Sequence, residues 1–144
     1  MTASVVIDCS PGQAFAYVSD YRNDPRWRSG VEEMRQDPDG PTGAGTRTIE
    51  RMRFQGRIRE TEARVVEFDP PHRVGFRTTS GYFTASGHRA VTAEEGGARV
   101  EYHVLATLSP WLRPLTPIIR AAFARRLAKD LKSLQALLET ESTD

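Results

Sequence analysis

The sequence predicts an α+β fold in which seven antiparallel strands form one sheet and a long C-terminal helix lies against it. Three observations point there. Between Thr2 and about Leu108, short runs alternate apolar and polar residues, the period of strands with one buried face. The breaks between successive runs are brief and rich in Gly, Pro and Asp, whereas a parallel crossover needs about a dozen residues, so neighbouring runs pair antiparallel. After Thr116 the period changes, and Ile119, Phe123, Leu127, Leu131, Leu134 and Leu138 recur at helical spacing.

Thr2 to Cys9 reads as the first strand, with Val5, Ile7 and Cys9 on one face. Ser10 can cap a helix, Pro11 suits its first position, and Gln13 completes a capping box. Ala14, Phe15, Val18 and Tyr21 then share one side of a short helix, which Asn23-Asp24-Pro25 is expected to stop. Further strands are expected at Val31–Gln36, Thr46–Phe54, Arg57–Phe68, Arg73–Thr79, Tyr82–Thr92 and Ala98–Leu108. Thr116-Pro117 opens the last helix, which runs to about Glu139 with an apolar stripe roughly 30 Å long. Arg125, Lys129 and Lys132 flank that stripe as a solvated side.

The 20 basic and 19 acidic residues occur throughout the chain and leave a formal charge of +1, a balance that argues against a dedicated nucleic-acid binder. The chain reads as one domain, residues 1–144, large enough for its own core. Cys9 is the sole cysteine, so no intrachain disulfide forms, and the start lacks the pattern of a signal peptide. A cytoplasmic location is the expectation. No apolar stretch approaches the roughly 20 residues that span a bilayer, so stable membrane insertion is not expected.

Turn positions set the register, and register decides which side chains face inward. A two-residue turn at Ser80-Gly81 places Val74, Phe76 and Thr78 on one face with Phe83, Ala85, Gly87, Arg89 and Val91. A loop at Glu94–Gly97 pairs Val91 with Val100, Arg89 with Tyr102 and His88 with His103, the histidines lying on the outer face near Glu101. A turn at Gln55-Gly56 sets Met52 opposite Arg59 and Glu50 opposite Thr61, while Arg51 and Glu60 form an outer cross-strand pair.

Arg89 is the exception on the apolar face, and a buried guanidinium needs a partner. The candidates are Glu50, Tyr102 with water, or an anionic ligand group; Glu50 and Arg59 are expected to neutralise one another. Trp27 and Tyr21 are the aromatic residues of the first helix and the bend after it. The stiff apolar stretch Ser109–Leu115 suits a connector, a gate or a membrane contact. Two histidines and a carboxylate on an exposed face lack the support of a real metal site, and no nucleophile motif or phosphate loop is found. No metal, cofactor or catalytic residue is therefore assigned.

The order of these features resembles the START-like helix-grip superfamily. The residues that carry the likeness are Ser10-Pro11 with Phe15 and Val18, Asp20 to Pro25 with Trp27, Asp69-Pro70-Pro71-His72-Arg73, Gly96-Gly97-Ala98-Arg99-Val100, and the leucine stripe ending at Leu138-Glu139. The superfamily includes polyketide cyclase/dehydrase and lipid-transport proteins. The resemblance implies two short helices between strands 1 and 2, a curved sheet wrapped around the long helix, and an internal cavity. The expected ligand is a small hydrophobic or amphipathic molecule, with or without an anionic end, held by a carrier or sensor in which Arg89 and Tyr102 orient its polar end. Trp27, Glu50, Arg59, Phe76, Phe83, Arg89, Tyr102 and Phe123 are the candidate contacts. The alternative is a polyketide-cyclase-like or dehydratase-like enzyme in the same cavity. A homodimer is left open.

Overall fold

Seven strands join edge to edge in the computed structural model, which describes residues 1–142: β1 (Thr2–Ile7), β2 (Val31–Asp37), β3 (Arg47–Phe54), β4 (Arg57–Asp69), β5 (Arg73–Gly81), β6 (Ala85–Glu94) and β7 (Gly97–Ala106). Their order is β1-β7-β6-β5-β4-β3-β2, antiparallel throughout. Each strand from β2 to β6 thus neighbours its successor, as the short breaks require. The sheet curls around α2 (Thr116–Ser142), while α1 (Pro11–Val18) and a 3-10 helix (Tyr21–Arg26) fill the chain between β1 and β2.

Ser10 Oγ accepts the Gln13 N–H at 3.1 Å and starts α1 as expected. The end of that helix differs. α1 stops at Val18, and Asn23-Asp24-Pro25 lies inside the 3-10 helix rather than ending an α-helix. Asp20 caps this second helix by accepting from Arg22 N at 3.1 Å, and Gln36 of β2 accepts from Tyr21 N at 3.0 Å. A 3-10 turn holds three residues, so Tyr21, Asp24 and Trp27 line one side.

Arg89 pairs with Tyr102, Val91 with Val100, His88 with His103, Met52 with Arg59 and Glu50 with Thr61, all as the turns imply. Gln55 (φ 54°) and Gly56 (φ 75°) form the two-residue β3–β4 turn with both residues in the left-handed region. The β5–β6 connection is wider than expected. Ser80 and Gly81 stay in β5 and pair with Glu62 and Thr61 of β4, so the turn moves to residues 82–84 and Phe76 faces Gly87. Glycine is the only residue type that fits at position 87, since an added Cβ would lie 2.3 Å from the His103 carbonyl oxygen and 3.0 Å from the Phe76 ring. Arg51 is opposite Glu60 in register, yet its guanidinium reaches Glu33 of β2 at 3.8 Å.

The core lies between the concave face, α1 and the C-terminal half of α2, and includes Ile7, Phe15, Val18, Val65, Val74, Val91, Val100, Leu131, Leu134 and Leu138. Ser29 anchors α2 from the loop before β2, donating to Asp130 through its N–H (3.1 Å) and its hydroxyl (2.8 Å). The first turns of α2 are held less tightly: Ile119 and Phe123 remain half-buried where Leu127 onward is buried.

On the outer face His88 and His103 stack at 5.1 Å. The Arg73 guanidinium donates to His88 Nδ1 at 3.0 Å, and Thr2 Oγ1 lies 2.7 Å from His103 Nδ1. Partial burial, then Arg73 and His103, hold the His88 pKa below its ordinary 6.5, outweighing Glu101 and Glu67. In the window below 6.5 the unfolded chain therefore binds its proton first, and stability falls as pH drops through it. Urea midpoints between about pH 7.5 and pH 5.5 are expected to fall less steeply for His88→Gln than for wild type, since carboxylates titrate mainly below this range.

Candidate ligand site on the concave face

Arg89 projects from β6 into the centre of the concave face, and its charge is met by a residue of the 3-10 helix. Nη1 donates to Asp24 Oδ1 at 2.8 Å and Nη2 to Oδ2 at 2.6 Å, a bidentate pair with side chains 1% and 0% exposed. Nη1 also donates to the Val18 carbonyl at 3.0 Å, which satisfies one of the orphan acceptors at the C-terminus of α1. Around this pair the rings of Tyr21, Tyr102 and Trp27 sit 4.5, 4.8 and 4.9 Å from the guanidinium carbon. Three aromatic faces thus replace the water that the cation has lost.

The network continues outward. Arg28 Nη1 donates to Asp24 Oδ2 at 2.9 Å and to Glu50 Oε2 at 2.8 Å, so Glu50 of β3 is joined to the centre through Arg28. Burial opposes the charge on Arg89, but Asp24 beside it raises the pKa well above the ordinary arginine value. Burial likewise pushes the Tyr21 phenol well up, despite the nearby Arg89. The centre thus joins Arg28 and Arg89 to Asp24 and Glu50 beneath the Tyr21 and Tyr102 rings.

These positions revise two expectations about partners. Arg89 meets Asp24, with Tyr102 Oη at a longer 3.4 Å, rather than Glu50, Tyr102 with water or an anionic ligand group. Glu50 pairs with Arg28, and Arg59 stands apart from it. Instead Arg59 lies over the Tyr82 ring at 4.1 Å, its Nε is buried without a hydrogen-bond partner, and it has no ion-pair partner among the described residues. The reason is reach: Arg28, four residues after Asp24 and just past the 3-10 helix, approaches Glu50 from the layer above the sheet, which strand register alone does not reveal.

Phe83 belongs to a second cluster, at the end of the grip formed by the β3–β4 and β5–β6 tips. Its ring meets Phe54 at 5.4 Å and Tyr82 at 4.9 Å, both edge-on. Phe54 and Phe83 are half-buried, and Tyr82 is half exposed. Phe123, on the loosely held half of α2, is half-buried too, as are Val104 and Ala106 on the inward face of β7. Phe76 lies between the clusters, its ring edge-on to Tyr21 at 6.3 Å. The candidate contacts therefore divide into a sealed polar centre (Trp27, Arg89, Tyr102, with Glu50 at its margin) and a solvent-accessible aromatic end (Arg59, Phe83, Phe123). Trp27 Nε1, Tyr21 Oη and Thr61 Oγ1 are buried on this face without a hydrogen-bond partner among the described residues.

Asp24 and Arg28 are absent from the sequence-level set. A signal existed: Tyr21, Asp24 and Trp27 recur every third residue, which aligns them on a 3-10 turn but scatters them on an α-helix.

The sequence matches the family described as polyketide cyclase / dehydrase and lipid transport over residues 1–139. No curated protein matches it. Among solved structures, TTHA0849 of Thermus thermophilus superposes with a TM-score of 0.78 at 19% identity, covering 94% of each chain. DR_A0006 of Deinococcus radiodurans gives 0.72 at 14% identity, covering 97% of this chain and 96% of that one. StfQ, a di-domain ARO/CYC protein of the steffimycin biosynthetic pathway, gives 0.76 at 14% identity, with 100% of this chain aligned to 51% of StfQ, about half its length. At these identities the likeness is one of fold.

Asp24→Asn is expected to destabilise the protein by about 3–5 kcal/mol in urea unfolding, because it leaves Arg89 buried and uncompensated. Arg89→Met should cost much less in the Asp24→Asn background than in wild type, a coupling that a double-mutant cycle measures.

Proposed function

The chain belongs to the polyketide cyclase/dehydrase and lipid transport family, and within it we propose that this protein binds a small hydrophobic or amphipathic molecule, as a carrier or sensor, with Arg59 receiving an anionic end. One observation carries the reading: Arg59 is the inward cation without an anion among the described residues, set against accessible rings of Phe54, Tyr82 and Phe83. An apolar body fits the rings and the Phe123 side of α2, while a carboxylate or similar group accepts from the Arg59 N–H groups. Trp27, Tyr102 and Arg89 form the floor beneath the ligand, with Phe76 at the edge of that floor. Their charges are already balanced, which suits a rigid wall better than a second anion site.

A cyclase-like or dehydratase-like enzyme acting on an aromatic or polyketide substrate is the second reading. The fold shared with the ARO/CYC protein StfQ favours it. In that case Arg59 would polarise a substrate oxygen, since Glu50 is engaged by Arg28 and less suited to act as a base.

Native mass spectrometry of gently purified protein is expected to retain an apolar or amphipathic molecule, whose turnover separates the two readings. In displacement titrations, Arg59→Gln should weaken dodecanoate or an aromatic carboxylate by about tenfold or more, the loss of one charged hydrogen bond, and leave the matching alcohol unchanged. Equal losses for acid and alcohol would remove Arg59 as the anion contact.

A further inference from the structure

The segment from Ser109 into α2 is built to be displayed rather than packed. A 3-10 helix (Pro110–Leu115) carries no buried residue, and Pro110, Pro114 and Pro117 restrict its backbone. Trp111 is 77% exposed and Ile118 68%, with Leu115 about half exposed. Along α2, Ile118, Ala122, Arg125, Lys129 and Lys132 follow at helical spacing on one face, and all are exposed. That face is opposite the buried Leu127, Leu131 and Leu134. Its start is apolar and its continuation cationic.

The charge of this region is one-sided. No acidic residue occurs between Glu101 and Asp130, where Arg113, Arg120, Arg125, Arg126 and Lys129 all lie. Since the whole chain is only +1, the remainder is net negative and the molecule is electrically polarised. A symmetric pair of copies joined through this patch would bring like charges together, so a second copy is a poor complement. An anionic lipid surface supplies both things the patch requires, hydrocarbon for Trp111, Leu115 and Ile118 and negative headgroups for the cations behind them. We propose that this face docks reversibly on anionic membranes. The docking is peripheral, in keeping with the absence of any described helix long and apolar enough to cross a bilayer.

Placement gives the docking a use. Thr107 N donates to the Thr84 carbonyl at 2.9 Å, so the strap leaves the sheet beside the Tyr82–Phe83 tip, and Phe123 lies on the reverse of the same end of α2. A membrane under Trp111 therefore faces the accessible end of the grip. The docking itself does not depend on what that end holds.

Flotation of the full chain with phosphatidylcholine vesicles, with and without about 30% phosphatidylglycerol, tests this at about 0.1 M and 0.5 M salt. Recruitment is expected only with phosphatidylglycerol and should fall at the higher salt. Brominated lipid should quench the exposed Trp111 and spare the buried Trp27, so Trp111→Phe should abolish quenching while retaining most binding. Arg125→Glu with Lys129→Glu is expected to weaken binding at least about tenfold, and Leu115→Ser with Ile118→Ser to weaken it comparably. The changed residues are exposed, and each variant is expected to keep the wild-type circular dichroism spectrum. Failure to bind phosphatidylglycerol vesicles, indifference to either pair of substitutions, or quenching that persists in Trp111→Phe would overturn the proposal. So would self-association that requires these residues, or equally tight binding to duplex DNA that ignores the apolar pair.

Discussion

The bidentate pair between Asp24 and Arg89 holds together parts of the chain that share little else. It joins the 3-10 helix to β6, ties the last turn of α1 through the Val18 carbonyl, and extends through Arg28 to Glu50 of β3. Removing two charges from water is expensive, and their mutual attraction offsets that cost only where geometry is close and the remaining hydrogen-bonding groups are engaged. The arrangement meets most of those terms, with three aromatic rings packed on the guanidinium and a second arginine on the carboxylate. What such a pair contributes most clearly is position, because an alternative seating of the 3-10 helix would strand Arg89.

Closing the polar centre in this way divides the concave face. Near α1 the grip is filled by its own side chains; near the hairpin tips it is lined by rings that water still reaches. α2 follows the same division, buried from Leu127 onward and half-covered before it. The accessible end consequently combines loosely packed helix, the displaced β5–β6 turn and an inward cation with no ion-pair partner among the described residues. Low local burial is the condition under which a segment can open at modest cost, and ligand entry needs such a segment.

Much of the fold was legible because it rests on periodicity. The order of β2 to β7, the Arg89–Tyr102 and Met52–Arg59 registers and the leucine stripe of α2 follow from turns and spacing, whereas the place of β1 beside β7 does not. Partners of the buried charges were not, since they come from a different layer. Register says that Arg89 faces inward and Glu50 is near Arg59, but not that Asp24 and Arg28 descend between them. Asp24 looked like a helix stop because an Asp-Pro step disfavours α geometry, and a 3-10 turn accommodates the same dipeptide. Likewise Ser80-Gly81 reads as a turn from composition alone, whereas β4 is long enough to keep both residues paired.

That displaced turn moved the β5–β6 register by two residues and left the paired side chains of both strands on their expected faces. Strand geometry permits this only in even steps. Variants that lengthen or shorten the tip by two residues would preserve the lining of the grip, while a change of one would exchange either Phe76 with Arg77 or Arg89 with His88 unless a bulge absorbed it. The mouth of this fold can thus diversify in size without rewriting its interior, provided that it does so in pairs.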